Sequence, residues 1–345
     1  MYNYKKRLLI EKKKFFNYSS LILPTLSFAR SGNHIILPKK PFEYFHKKRE
    51  GKRILIIGGI HGNEMGAYKA ADLLVDMDIK ADVLIIPRSN FTSILADVRG
   101  YNGDMNRKFD YISKKDPDFY CVELLKEAIL DFKPDLLISM HDGYGFSSKY
   151  RHSWGQSVVI DEIEYKNFKL FKEAEFVKKN ANKYLKWPVS IINTKTFSST
   201  IHNEQKKALT GWCLKNNIKA FCIEASKQLP SLKDKVYTHL VMLREFFNLY
   251  NIKSNIDEYI KNIDLKEIFP SVKLKINNQF YRINKTTKIK LPLNADIEIA
   301  DIKGNRGSFV VPKGINLNWR KFYFKNLTLE VKNDFEKKYE IHLKG

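Results

Sequence analysis

Cysteine is scarce in this chain. Cys121, Cys213 and Cys222, three residues among 345, build no paired framework and show no metal-ligand spacing. Cys213 and Cys222 fall in or beside apolar runs, the usual setting of inert buried thiols. Acid is also short: 38 Asp and Glu face 61 Lys and Arg, a formal net charge of +23. Such a surface favours polyanionic or acidic partners, although a bias towards Lys, Ile, Asn and Phe also follows from AT-rich coding. Helix-turn-helix, zinc-finger and RNA-recognition patterns are missing, which argues against nucleic acid. No apolar run is long enough to span a membrane. Without low-complexity tracts or repeats, the chain reads as globular, with length for one large domain and a small one.

Apolar runs of strand length alternate with amphipathic helical segments. "RILIIGG" (53–59) precedes the helical "EMGAYKAADLLVDM", then "ADVLIIPRSN" (81–90) leads into the loop "DVRGYNGDMNRKF" (97–109). Helical spacing over 116–132 precedes "PDLLISMHDG" (134–143). Strands are expected at 157–162, 189–194 and 218–226, with helices around 163–185, 203–216 and 235–252. Continuous rather than alternating apolar runs imply a mostly parallel sheet covered by helices on both faces, an α/β fold. After about residue 256 the pattern becomes period-two with turn signals. The expected division is therefore a large α/β domain over 1–255 and a small β-rich domain over 256–345.

Chemistry-bearing residues gather where these runs end. "GGIHGNE" supplies His61 and Glu64, "ISMHDG" supplies His141 and Asp142, and "FCIEAS" supplies Glu224. The loop after "LIIPRSN" holds Arg99, Asp104, Asn106 and Arg107. In open parallel sheets, loops beyond the carboxyl ends of strands converge on one crevice. Two His and one Glu form a common catalytic zinc set with a position left for water, and they suit zinc better than calcium or magnesium. Glu224 is the right type of group to move the proton of that water. Arg99 can face a developing oxyanion, and Arg107 with Asn106 can hold a substrate carboxylate. Each residue alone also has a plain reading, as loop histidine, strand-end ion pair or solvated cation. Their co-occurrence at the ends of parallel strands carries the argument.

Taken together, "HGNE", "VRGYNGDMNRKF", "SMHDG" and "IEAS" resemble the zinc carboxypeptidase superfamily, which also includes aspartoacylase and succinylglutamate desuccinylase. The strings "GDMNRKF", "LLISMHDGYGF", "TKTFSSTIHNEQKKAL" and "KAFCIEASK" look like one subgroup, the peptidoglycan D,L-carboxypeptidases of curved and helical Gram-negative bacteria. The resemblance covers roughly 50–250 well and the tail more loosely. It implies one zinc ion held by His61, Glu64 and His141, with Glu224 as general base and later acid. It further implies Arg99 as oxyanion stabiliser, Asn106 and Arg107 as carboxylate clamp, and a muropeptide tripeptide that loses its terminal meso-diaminopimelate. Some subgroup members carry Gln at the first ligand, where this chain has His61. The β region also looks shorter than in longer relatives.

Two other readings stand beside this one. The same metal site serves an N-acyl amino acid amidohydrolase of the aspartoacylase type. A basic wall- or polyanion-binding protein without turnover is the third. Tyr150, Arg151 and Trp154 either line a pocket or pack the loop to the body, with packing expected for Tyr150. His152 and His202 are spare metal-type side chains, and residues 196–200 carry no assigned role. A wall substrate implies the periplasm, with the cytoplasm as the alternative: "YSSLILPTLSFA" imitates an export signal weakly and reads better as an opening strand. The sequence leaves the oligomeric state open.

Overall fold

The computed structural model of the chain describes residues 32–38 and 42–345, so the expected opening strand at 18–29 lies outside the described residues. The chain divides into two compact units, one of residues 42–267 and one joining residues 32–38 to Ile268–Gly345.

Chain order opens with a short strand, β1 (Asn33–Ile36), of the second unit. The larger unit runs β2 (Phe45–Lys47), β3 (Arg53–Ile57), α1 (Met65–Asp76), β4 (Asp82–Ile86), α2 (Phe91–Leu95), α3 (Phe119–Phe132) and β5 (Leu136–Gly143). It continues through β6 (Ser157–Ile160), α4 (Leu170–Ala181), β7 (Ser190–Asn193), α5 (Leu209–Lys215), β8 (Ala220–Ser226), α6 (Leu232–Leu249) and α7 (Ile256–Lys261). Its seven strands form one sheet in the order β2-β4-β3-β5-β8-β6-β7. The central strands β4, β3, β5 and β8 are parallel. β2 and β6 run against their neighbours β4 and β8, and β7 lies parallel to β6. The sheet is thus mixed at both edges and parallel at its centre.

Strand alternation explains the continuous apolar runs. On β3, Ile54 and Ile56 enter a core with α1, α4 and α6, while Leu55 and Ile57 enter a second core with α3 and α5. Both faces are buried, so neither tolerates polar residues. Each such side chain removed from water contributes about 1.5–3 kcal/mol. The double glycine after β3 lets two loops press together: Gly59 has φ +66°, and a Cβ there would lie 2.9 Å from the Pro87 carbonyl oxygen. The Gly58 and Gly59 carbonyls accept the Ser89 and Asn90 N–H groups at 3.1 and 2.9 Å.

The second unit continues with β9 (Ser271–Ile276), β10 (Gln279–Ile283), β11 (Thr287–Lys290), β12 (Asp296–Lys303), β13 (Ser308–Pro312), β14 (Lys321–Phe324), β15 (Asn326–Asn333) and β16 (Glu336–Lys344). These make a five-stranded sheet, β10-β9-β12-β1-β14, and a four-stranded one, β11-β16-β15-β13, around a shared apolar core. The unit is β-rich, but its limits differ from the expected 256–345. The period-two pattern starts with β9; Ile256 and Ile263 before it are buried in the larger unit's core. Strand β1, far away in sequence, pairs with β12 and β14.

Candidate active site

The parallel centre of the sheet delivers three strand ends to one cleft of about 490 Å³. His61 lies in the turn after β3, and Glu64 follows at the N-cap position of α1. The Glu64 side chain makes no capping bond; instead Asp142, at the end of β5, accepts the Gly66 N–H at 2.7 Å. That substitution frees the Glu64 carboxylate to face the two histidines. Asp142 is itself held by the buried His239 on α6, Nε2 to Oδ1 2.9 Å. His141 on β5 stands in register with Glu224 on β8, so neighbouring strands set the two side by side.

His61, Glu64 and His141 are buried, and their ligand atoms all lie within 4.8 Å of one another. His61 Nδ1 is 2.9 Å from Glu64 Oε1, His141 Nδ1 is 2.8 Å from Glu64 Oε2, and the two Nδ1 atoms are 3.1 Å apart. The outer nitrogens have partners of their own: His61 Nε2 meets Asp104 Oδ1 at 3.0 Å, and His141 Nε2 meets Ser139 Oγ at 3.0 Å. A carboxylate only accepts, so Asp104 puts a proton on His61 Nε2 and leaves Nδ1 of the neutral ring as a lone pair facing a carboxylate oxygen. Two such atoms need a proton or a cation between them, and a divalent cation satisfies all three side chains at once. Outer-nitrogen bonds to a carboxylate and a hydroxyl are the usual support of metal-ligating histidines. The residues present therefore fit a divalent cation.

At Glu64 and His141 the electrostatics agree. Burial raises the Glu64 carboxyl, but the two facing imidazoles outweigh it and hold it well below the usual carboxylate range. Burial pushes His141 below the ordinary imidazole value, towards the neutral ligand form. Burial also lowers His61, but Glu64 and Asp104 together leave it raised. Glu224 goes the other way: burial first, then the charges of Glu64 and Asp142, push it well above the ordinary value. Its Oε2 has no hydrogen-bond partner among the described residues. Gly143 makes room for it, since a Cβ there would lie 2.9 Å from that oxygen. A buried carboxylate oxygen without a partner is costly in a folded protein and common where a proton is to be moved.

Asp104 ties the rest together. Its Oδ2 accepts from Arg99 Nε and Nη2 at 3.2 and 2.9 Å, and its Oδ1 accepts the Asn106 N–H at 2.9 Å. Burial alone would raise Asp104; His61, Arg99 and Arg107 outweigh it and keep it ionised. Arg99 Nη1 and Lys227 Nζ both lie 3.7 Å from Glu64 Oε1. The Asn106 side-chain oxygen accepts the Leu209 N–H at 2.9 Å, which leaves its NH2 group as donor, and Arg107 Nη1 donates to the Asn106 carbonyl at 2.9 Å.

All seven residues singled out from the sequence (His61, Glu64, Arg99, Asn106, Arg107, His141 and Glu224) line this one cleft. His152, His202 and Trp154 line it too, outside the metal-competent trio, with Trp154 edge-on to His202 at 6.2 Å. Tyr150 does not pack as expected: it is 65 % exposed, because its loop turns on its own backbone bonds, such as Tyr150 N–H to the Phe146 carbonyl. Cys213 is buried, whereas Cys222 is only partly so and borders the cleft; burial and then Glu224 and Glu64 push its thiol well up, so it stays protonated. Sequence reasoning assigned no task to Asp104, Ser139, Asp142, Asp161, Lys227 or His239. Asp104 and Ser139 carried a faint signal, standing two residues from Asn106 and His141 respectively; His239 on a distant helix carried none.

Residues 22–269 match the family described as the catalytic region of carboxypeptidases controlling helical cell shape. The chain belongs to this family. Among solved structures, it is similar to the tripeptide-bound cell shape determinant Csd4 of Helicobacter pylori, at 20 % identity and a TM-score of 0.59 over 88 % of this chain and 99 % of that one. The mDAP-bound form of Csd4, a D,L-carboxypeptidase, aligns at 19 % identity and a TM-score of 0.57 over 87 % of this chain and 99 % of that one. Among curated proteins no sequence matches. The expected zinc carboxypeptidase-like α/β fold with a β-rich C-terminal region is what the structure has. No helix among the described residues is long and apolar enough to cross a membrane.

Proposed function

We propose that this carboxypeptidase is zinc-dependent and removes the terminal residue, meso-diaminopimelate, from a peptidoglycan-derived tripeptide in the periplasm. The observation that carries the reading is the meeting of three buried metal-type side chains with Glu224, whose Oε2 has no hydrogen-bond partner among the described residues, in one arginine-bearing cleft. Csd4, crystallised with a tripeptide and with mDAP, supports the choice of substrate.

In this reading His61, Glu64 and His141 would hold the ion, which would supply Lewis-acid chemistry at the scissile carbonyl and the attacking water. Glu224 takes a proton from that water as the C–O bond forms and returns it to the leaving amine as the C–N bond breaks, so the carboxylate ends as it began. Its raised proton affinity suits the task, because a base works best when its pKa approaches the working pH. Arg99, half-exposed and braced by Asp104, stabilises the oxyanion. Arg107 and the Asn106 NH2 group clamp the substrate's terminal carboxylate, which fixes the last peptide bond as the one cleaved.

The test joins metal analysis of the purified protein with mass spectrometry of a muropeptide tripeptide digest, with N-acetyl- and N-succinyl-amino acids as competing substrates. The expected result is about one zinc per chain and a loss of diaminopimelate that a chelator blocks. Hydrolysis of only the N-acyl amino acids would move the protein to the amidohydrolase reading.

A further inference from the structure

Five carboxylates line the cleft: Glu64, Asp142, Asp161, Glu204 and Glu224. Glu64 faces the histidines, Glu224 is the proposed base, Asp142 is spent on Gly66 and His239, and Glu204 is exposed. Asp161 is left. It follows the last residue of β6 and is 4 % exposed. The adjoining Glu162 accepts the N–H groups of Phe197 and Ser198, each at 2.7 Å, and fixes the loop beyond β7. Asp161 instead borders the cleft. Its Oδ1 accepts from Thr196 Oγ1 at 2.6 Å, and the Thr210 hydroxyl lies near enough to favour its charged form. No cation pairs with it among the described residues. A buried acid held by neutral hydroxyls alone is uncompensated as an anion, and burial indeed pushes it above the usual range.

Its position relative to the carboxylate clamp follows from α5. The first residue of that helix, Leu209, gives its N–H to the Asn106 side chain, and the next, Thr210, brings its hydroxyl beside Asp161. One turn therefore fixes both groups. Along β6, Ser157 is in register with Glu224, and Asp161 lies four residues further on, roughly 13 Å of strand. Val159 and Cys222 floor the cleft between them. Asp161 thus sits beyond the scissile position, on the side where the terminal residue is clamped. A diaminopimelate or lysine side chain carries its ammonium roughly 6 Å from the α-carbon by standard bond lengths.

Resting on the function proposed above, we infer that Asp161, supported by Thr196 and Thr210, receives the side-chain ammonium of the substrate's terminal residue and so selects peptides that end in a distal primary amine. Side chains that end in a carboxylate with no ammonium beside it, such as those of N-acyl aspartate or glutamate, meet an uncompensated carboxylate there and are rejected, whereas the distal carbon of diaminopimelate carries an ammonium next to its carboxylate.

The test compares tripeptides ending in meso-diaminopimelate, lysine, norleucine and glutamate, with wild type and Asp161→Asn, by kcat/KM. Melting temperature and zinc content report on the fold. Wild type should prefer the two amine-bearing peptides over norleucine by about 10- to 100-fold, the range of a hydrogen bond to a charged group. Asp161→Asn should lose that preference and stay within about threefold of wild type on norleucine. The wild-type comparison decides the matter even if the variant folds poorly. Equal wild-type rates on lysine and norleucine peptides, or a folded variant that loses both alike, overturn the inference and leave the carboxypeptidase reading intact. A wild type that cleaves none of the peptides overturns that reading and the inference with it.

Discussion

Replacing Glu224 by Gln should make the protein more stable and nearly inactive. In the folded chain the Glu224 carboxylate is buried beside the negative charges of Glu64 and Asp142, and its Oε2 has no hydrogen-bond partner among the described residues. Leaving a buried polar group unsatisfied costs about 1–3 kcal/mol, more when it is charged. Gln keeps the shape and removes the charge, so a gain of about 1–3 kcal/mol is expected. At about 2–4 °C per kcal/mol for a unit of this size, that is a rise in melting temperature of roughly 2–12 °C. The gain should depend on pH. Because the folded-state pKa is raised, Glu224 favours the native state when protonated, below about pH 4, and that contribution is lost as pH rises to the folded value. The difference between variant and wild type should therefore be near zero at low pH, grow upwards from there, and level off above the folded pKa. Calorimetry on chelated protein across that range gives the curve. The same substitution should lower kcat by about 10²–10⁴, the usual worth of a positioned acid–base group, while zinc content is unchanged. A variant that is destabilised at neutral pH, or that hydrolyses at the wild-type rate, would refute the reasoning that makes Glu224 a strained base.

Three further outcomes follow from the same geometry. Arg99→Ala should lower kcat by about 10²–10³, the cost of one oxyanion donor, with KM little changed in steady-state assays of tripeptide hydrolysis. Asp104→Asn takes the carboxylate from His61 Nε2 and should weaken zinc binding by about 10- to 100-fold in a chelator competition titration. Gly143→Ala would set a methyl group 2.9 Å from Glu224 Oε2 and 2.7 Å from the Gly155 nitrogen; a loss of about 1–3 kcal/mol by thermal melt and a drop in kcat are expected.

The α/β class was legible because two-sided burial leaves continuous apolar runs: "RILII" and "LLIS" carry the sheet on their face. The positions of His61, Glu64, His141 and Glu224 were legible for a related reason, since a parallel centre brings the carboxyl ends of successive strands together. What escaped was pairing across distance. Asp142 capping α1, His239 bracing Asp142, and Leu209 with Thr210 holding Asn106 and Asp161 join residues tens of positions apart. Nothing in local periodicity encodes such bonds. The union of β1 with the tail sheets escaped likewise, because a four-residue strand over 200 positions from its partners leaves no trace in composition.

Bulk charge was the least informative feature of the sequence. A chain of net charge +23 suggests an anion-seeking protein, yet the cleft lining has five carboxylates against Arg99, Arg107 and Lys227. Burial strengthens every charge in that enclosure relative to the exposed lysines outside it, so the local excess of acid decides what enters. A divalent cation would bind the Glu64 carboxylate together with the two histidine nitrogens, and a substrate ammonium beside Asp161 would answer a carboxylate that has no cation partner among the described residues. The two arginines would then be free to meet the terminal carboxylate and the oxyanion. On the proposed reading the cleft would suit a ligand of mixed charge with a fixed spacing between amine and carboxylate better than a polyanion or an N-acylated acidic amino acid.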